Sequence, residues 1–217
     1  MSSTTELVRK GLAKRYAKEK RFRLYGLLSI TLSIVFLAIL MLNIFSKGLP
    51  AFTSTYIKLE VVLDPQVLGV TAESTPEQLR AADYATAINN SLEKLIPGVT
   101  ERKQKKALKA LVSSDAPYQL RDQIRVDPKL IGTTQSLWLP ADDEIDMYHK
   151  GYVDRTVPEA DRRIKNFQLA WLDKLESEGR LTSKFNTTFF THGDSREPEQ
   201  AGILSALMGS IYTMSLT

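Results

Sequence analysis

The chain has 217 residues, of which 43% are hydrophobic and 25% are charged, and it contains no cysteine. This length allows one folded domain with additional segments, and the absence of thiols excludes disulfides, thiolate catalysis and thiolate metal sites. Eight basic and two acidic residues give residues 1–23 a net charge of +6, whereas the whole chain carries +4. The basic character therefore belongs to a short tail, and no nucleic-acid partner is predicted.

Residues 24–45 contain no charged side chain. As a helix they would be about 33 Å long, enough to cross a hydrocarbon core of roughly 30 Å. The alternative is a cleaved signal peptide, whose apolar region spans about 7–15 residues and precedes a small-residue cleavage site. This run is longer, and no such site follows Phe45. The sequence predicts a retained transmembrane helix.

The charges that flank this segment predict its orientation. Eight basic residues precede it, whereas only Lys47 and Lys58 follow closely. Because positively charged flanks stay on the cytoplasmic side, we expect residues 1–23 to form a cytoplasmic tail. Residues 46–196 are then predicted to be periplasmic, in a protein of the cell inner membrane.

Residues 46–196 contain no second run long enough to span a membrane, and they predict a mainly helical α+β domain. Hydrophobic residues alternate through 56–63, which predicts a half-buried strand. Its inward-facing residues are Ile57, Leu59, Val61 and Leu63. A single helix is predicted from Thr75, which forms a capping box with Gln78, up to Pro97. Its apolar face comprises Leu79, Ala82, Ile88, Leu92 and Leu95.

Four further elements are predicted in this domain. They are helices over 101–112, from Asp115 to Arg125 and over 158–178, and a strand-like piece over 136–140. The third of these helices is expected to be the longest, with Trp171 in the core and Gly179 just after its end. Lysines along 101–112 indicate a solvated face or, alternatively, contact with an anionic partner.

An acidic run formed by Asp142, Asp143, Glu144 and Asp146 raises the alternative of a cation site. The run lacks the central glycine and the terminal glutamate of a calcium-binding loop. Acidic residues are favourable at the positive end of a helix dipole. We therefore interpret this run as the start of a helix.

Polar residues with catalytic side chains occur at 189–199. His192, Asp194 and Ser195 invite a hydrolase interpretation, but sequence neighbours rarely adopt triad geometry, and no nucleophile-elbow motif is present. Asp194 or Ser195 is instead predicted to cap a helix with Glu197 and Pro198 in its first turn. A phosphate-binding loop is absent, the two histidines His149 and His192 make no metal site, and neither a catalytic residue nor a cofactor is predicted. Asn186-Thr187-Thr188 is a glycosylation sequon.

Residues 201–217 carry no charge. Small residues at Gly202, Ser205, Ala206, Gly209 and Ser210 are typical of packed membrane helices. We predict that 197–217 begins a second transmembrane helix and leaves it incomplete. The alternative is an amphipathic helix that docks on the domain of residues 46–196.

Several segments resemble the PstA-type permease subunit of the bacterial phosphate ABC transporter, in the version with an extra outer domain after the first helix. The resembling segments are Lys20–Gly26, Gly48–Phe52, Ser136–Pro140, Phe185-Asn186, Phe189-Phe190, Gly193–Glu199, Ala201–Ile203 and Gly209-Ser210. The resemblance covers nearly the whole chain and is sharpest from Gly193 to Ile203.

This resemblance implies the N-terminal portion of a permease subunit of an ATP-driven inorganic phosphate importer. The implied partners are a second, PstC-type permease subunit, a dimeric ATPase that hydrolyses the ATP, and a periplasmic phosphate-binding protein, besides membrane lipid. The fragment is expected to be neither an enzyme nor transport-competent alone, and no phosphate-contacting residue is assigned. The alternative function is a freestanding membrane-anchored periplasmic interaction module, with its C-terminal segment packed on its own domain.

Overall fold

The computed structural model describes the backbone of residues 4–216 and their side chains, except those of residues 4–10 and 13. Residues 1–3 of the predicted basic tail and residue 217 of the predicted second membrane helix lie outside the described part. The chain divides after Leu49 into two compact units, which are described separately below. The second unit, which begins at Pro50, is called the folded domain.

The described part of the first unit consists mainly of one helix, α1 (Thr4–Gly48). It contains a stretch that is long and apolar enough to cross a membrane, and none of that stretch is buried. Among its few polar groups, the Ser33 hydroxyl donates to the Ser29 carbonyl at 2.9 Å, which satisfies the hydroxyl within the helix. The predicted apolar helix over 24–45 is confirmed. The described part of the basic tail continues the same helix.

The folded domain contains a three-stranded antiparallel sheet of strands β1 (Thr53–Val62), β2 (Thr134–Pro140) and β3 (Leu181–Phe185), in the order β2-β1-β3. In this register Ile57 of the central strand lies opposite both Leu139 and Leu181. Ile57, Leu59 and Val61 are buried, whereas Lys58 and Glu60 are exposed. The alternation predicted from the sequence is therefore confirmed, and the sheet has one buried face.

Nine further α-helices occur in the described part of the folded domain. They are Pro65–Leu68 (α2), Pro76–Ala81 (α3), Tyr84–Leu95 (α4), Arg102–Lys109 (α5), Ala116–Val126 (α6), Asp143–His149 (α7), Asn166–Ser177 (α8), Thr187–Thr191 (α9) and Leu204–Leu216 (α10). Short 3-10 turns cover Leu49–Phe52, Pro128–Leu130, Glu159–Asp161 and Pro198–Gln200. A helical anchor followed by a mainly helical α+β domain is thus observed.

Helices α4 and α6 contact the sheet, and α8 contributes buried leucines to the same core. Their fully buried leucines and isoleucine include Leu92, Leu120, Ile124 and Leu172. Trp171 is partly buried against this core, with its ring 5.0 Å from that of Phe167. The lysines and the arginine of α5 are exposed, as both a solvated face and contact with an anionic partner require.

The prediction of one helix from residue 75 to residue 97 is wrong. The capping box between Thr75 and Gln78 forms as predicted, but the helix ends at Ala81. Ala82 is extended, and Asp83 starts α4 because its carboxylate accepts bonds from the backbone N–H of Thr86 at 2.9 Å and from its hydroxyl at 2.7 Å. A second N-cap inside the apolar pattern thus divides the predicted helix in two.

The predicted helix over 158–178 also begins later than expected. Residues Glu159–Asp161 form a 3-10 turn, and the Glu159 carboxylate accepts bonds from the Asn166 backbone and side chain at 3.2 and 2.8 Å. The cap of α8 therefore comes from the preceding turn. Gly179 has a φ of 65°, as predicted for the residue after the helix. The helix has 12 residues, as many as α4, so it is not the longest.

The helix predicted over 101–112 ends early, at Lys109. Beyond it, Val112 pairs with Ala141 in an isolated β-bridge, and the Leu111 carbonyl accepts a bond from the Asp142 backbone N–H at 3.2 Å. The chain therefore pairs with the end of β2 from Leu111 onward instead of continuing the helix.

Candidate functional site

The folded domain has an entry segment, residues 50–53, and an exit segment, residues 198–204, which leads into α10. The two segments meet at one place. We call this region the junction, and it consists of residues 50–53, 113–114, 142–146 and 186–204. A cavity of about 330 Å³ lies within it, lined by both segments and by α7. The junction is the site where the fold connects the segment that follows α1 to the segment that leads into α10.

Asn186 holds the entry segment in place. Its backbone N–H donates to the Phe52 carbonyl at 2.9 Å, and its side-chain amide donates to the Ala51 carbonyl at 3.1 Å. Its side-chain oxygen accepts a bond from the Phe189 N–H at 3.0 Å and so caps α9. One side chain therefore fixes both the entry segment and the start of α9.

The exit segment is bound closely to α9 and the residues that follow it. The N–H groups of Gly202, Ile203 and Leu204 donate to the carbonyls of Gly193 at 2.7 Å, Phe189 at 2.9 Å and His192 at 3.1 Å, respectively. The approach leaves no space for a side chain at residue 202, since a Cβ there would lie 2.3 Å from the His192 oxygen. The start of α10 is therefore fixed by backbone contacts.

Side chains attach the exit segment to the loop before α6. The Ser113 hydroxyl donates to Glu199 Oε1 at 2.7 Å, and the Gln200 amide donates to the Ser114 hydroxyl at 2.8 Å. The other carboxylate oxygen of Glu199 is buried, and no described residue forms a hydrogen bond with it.

Asp146 links α7 to the first strand. Its Oδ1 accepts bonds from the Thr55 backbone N–H at 2.9 Å and from the Thr55 hydroxyl at 2.7 Å. Its Oδ2 forms an ion pair with Lys150, whose ammonium also donates to the Thr53 carbonyl at 2.7 Å. Because the Lys150 side chain is only 13% exposed, this pair is an internal part of the fold.

Asp142 caps α7 and has an altered acidity. It accepts a bond from the Glu144 backbone N–H at 3.1 Å, so the predicted helix start at the acidic run is confirmed. Burial, together with Asp143 and Glu199, raises the pKa of the Asp142 carboxyl to about 7, against the lowering effect of the cap bond. Among the described residues, no group of His, Asp and Glu side chains is arranged to hold a metal ion.

The raised pKa of Asp142 predicts a pH-dependent stability. Between about pH 4 and pH 7 the folded form keeps a proton that the unfolded form releases, so the free energy of unfolding falls as the pH rises. Asp142→Asn keeps a capping side chain and removes the charge. At about pH 8 we expect the variant to be more stable than the natural protein by about 1–2 kcal/mol. This is less than the pKa shift alone implies, because solvent screens the half-buried group.

Urea unfolding of the full chain in detergent, followed by tryptophan fluorescence, checks this expectation across the pH range. Asp64→Asn is the matched control, because Asp64 caps α2 through the same kind of bond. The raised pKa of Asp142 is wrong if the stability of Asp142→Asn relative to the natural protein is the same at high pH as at low pH.

The residues that suggested a hydrolase do not assemble into a triad. Within the described chain, His192 Nδ1 lies 3.0 Å from the Thr191 hydroxyl, and the Ser195 hydroxyl accepts a bond from the Glu197 N–H. In the described part of the chain, no hydrogen bond joins His192, Asp194 and Ser195 to one another. His149 Nδ1 is buried without a hydrogen-bond partner and lies 3.9 Å from Glu176 Oε1.

The helix start predicted at Asp194 or Ser195 is wrong. The structure has only a 3-10 turn at Pro198–Gln200, without a side-chain cap, and α10 begins at Leu204. The reason is that the N–H groups of residues 202–204 donate to carbonyls of residues 189–193 rather than within a helix. The capping role of Asn186 was not among the predictions, although asparagine followed by a short apolar run is an N-cap signal.

Comparison with known proteins identifies the family. No curated protein and no solved structure matches the chain. Residues 9–159 match the family described as a domain of unknown function, DUF3333, and this match covers more than half of the chain. The chain therefore belongs to the DUF3333 family.

Proposed function

We propose that this chain is anchored in the inner membrane by α1 and that α10 also enters the membrane. The observation that carries this proposal is the exposure of α10. Its residues are apolar or uncharged, none of them is buried, and Ile211 is 50% exposed. Exposed apolar area costs roughly 25 cal/mol per Å² in water, so this surface is suited to lipid or to other membrane helices.

The same observation bears on the alternative function. A freestanding module with one membrane span requires the C-terminal segment to pack on its own domain. Among the described residues α10 contributes nothing to the core, and its first turn is attached to the junction. The arrangement in which both α1 and α10 enter the membrane is therefore better supported than the module with one span.

We further propose that the chain forms the N-terminal portion of a permease subunit of an ATP-driven inorganic phosphate importer. The ordered resemblance to PstA-type subunits supports this function. Its sharpest part, Gly193 to Ile203, coincides with the backbone contacts of the junction. The partners are a PstC-type permease subunit, an ATPase dimer and a periplasmic phosphate-binding protein. Transport and ATP hydrolysis require these partners.

Disruption of the gene that encodes this chain tests the transport function. In cells grown at limiting phosphate, we expect high-affinity phosphate uptake to be lost, while uptake of sulfate, the control anion, is retained. An affinity-tagged protein should copurify with an ATPase subunit and a second permease subunit. Unchanged phosphate uptake together with the absence of such subunits would contradict the proposal.

A further inference from the structure

We propose that four phenylalanines at the junction lie in the interfacial region of the bilayer and contact lipid. They are Phe52, Phe185, Phe189 and Phe190, and we call them the phenylalanine cluster. This inference rests on the proposed membrane anchoring of the chain. It adds, to the contacts made by α1 and α10, a contact made by residues of the folded domain outside α10.

The cluster is a preformed arrangement of rings. Phe190 stacks between Phe52 and Phe185, with centroid distances of 5.8 and 5.5 Å and ring planes within 11° of parallel. Phe189 meets Phe52 and Phe190 edge-on at 5.6 and 5.1 Å. These are the favourable geometries for aromatic pairs. The Asn186 bonds to Ala51 and Phe52 hold the two ends of the cluster together.

The cluster is not part of the core of the folded domain. Phe185 is 61% exposed, Phe190 is 40% exposed and Phe52 is 37% exposed. Contiguous exposed aromatic side chains are unfavourable in water and mark a contact surface. The rings pack against one another, so their exposed surfaces form one continuous apolar patch.

Two connections indicate lipid as the partner. Phe52 follows the end of α1 by four residues, and Leu49 between them is exposed as well. The backbone carbonyl of Phe189 accepts a hydrogen bond from the N–H of Ile203, the residue immediately before the exposed apolar helix α10. The cluster thus lies where both apolar segments join the folded domain.

The chemistry of the neighbouring side chains fits the boundary between headgroups and acyl chains. Asn186, Thr187 and Thr191 are close to the phenylalanines in sequence and carry amide and hydroxyl groups. Phenylalanine is among the residues on the apolar side of amphipathic surfaces that lie in the membrane interface, where this side is buried about 5–10 Å into the boundary.

Fluorescent labelling of single cysteines tests the inference, because the natural chain has no cysteine. The full chain is reconstituted in vesicles of phosphatidylethanolamine and phosphatidylglycerol, with an NBD probe at Phe190→Cys. A second variant, Thr187→Cys, keeps all four rings and lies one helical turn from Phe190. Lipids with a doxyl quencher near the headgroup or deep in the acyl chain report the depth of the probe.

Two control positions separate this inference from the proposed anchoring. Ile34→Cys, in the apolar part of α1, should be quenched most strongly by the deep quencher. Tyr118→Cys, an exposed aromatic position of α6 outside the cluster, should be quenched by neither lipid. We expect both cluster probes to emit at shorter wavelength than the Tyr118→Cys probe and to lose most of their emission to the shallow quencher.

The possible outcomes are distinct. If the Ile34→Cys probe is quenched but both cluster probes resemble Tyr118→Cys, the cluster faces water or a protein partner, and this inference is overturned while the anchoring stands. If the Ile34→Cys probe is not quenched either, the proposed anchoring itself is wrong.

Discussion

Asp146→Ala should destabilise the folded domain by about 3 kcal/mol, because it removes one partner of an internal ion pair and three hydrogen bonds. The substitution leaves the Lys150 ammonium in a position that is only 13% exposed, without its carboxylate. It also removes the acceptor for both the N–H and the hydroxyl of Thr55, a residue that is 1% exposed.

Urea unfolding followed by the fluorescence of Trp138 and Trp171 measures this loss in the full chain. Asp146→Asn keeps an acceptor for Thr55 and loses only the charge, so its effect should be intermediate. Asp122→Ala is the matched control, since Asp122 pairs with Arg121 and Arg125 at the surface and such pairs contribute about 0–1 kcal/mol. Equal losses in the free energy of unfolding for Asp146→Ala and Asp122→Ala would show that the internal pair stabilises the fold no more than a surface pair does.

Gly202→Ala should open the junction. The added Cβ would lie 2.3 Å from the His192 oxygen and 2.8 Å from the Thr188 oxygen. Both are backbone atoms, which cannot be relieved by a change of rotamer. Overpacking of this kind costs about 1–3 kcal/mol, and we expect the upper end of this range with loss of the bond from Gly202 to Gly193.

Limited trypsin digestion measures the opening directly, because Arg196 lies between α9 and α10. Cleavage at Arg196 should be faster in Gly202→Ala than in the natural protein. The control is Gly209→Ala in α10, where a Cβ meets no atom within 4 Å and alanine is favoured over glycine by about 1 kcal/mol. Arg196 cleavage at the natural rate in Gly202→Ala would contradict the close contact.

The parts of the fold that follow from local chemistry were predictable from the sequence. Period-two alternation identified β1, the Thr75 capping box identified the start of α3, and the uncharged run identified the apolar helix. The break at Asp83 was missed because the apolar spacing continues across it, and only the bonds to Thr86 show a new helix start.

The junction was less accessible to sequence analysis because its bonds join residues that are distant in the chain. Ser113 and Glu199 are 86 positions apart, and Asn186 and Ala51 are 135 apart. The strand β3 is polar and short, and it is recognisable only by its pairing with β1. The need for glycine at position 202 comes from the proximity of the His192 carbonyl, which no local pattern reveals.

Cysteine accessibility in intact cells tests the membrane arrangement most directly, with one cysteine introduced at a time at Lys18, Lys103 or Ile211. With a membrane-impermeant maleimide, we expect Lys103→Cys to react in intact cells and Lys18→Cys to react only after permeabilisation. Ile211→Cys should stay unreactive until detergent is added. Reaction of Lys18→Cys with protection of Lys103→Cys, or reaction of Ile211→Cys as fast as Lys103→Cys, would contradict the arrangement.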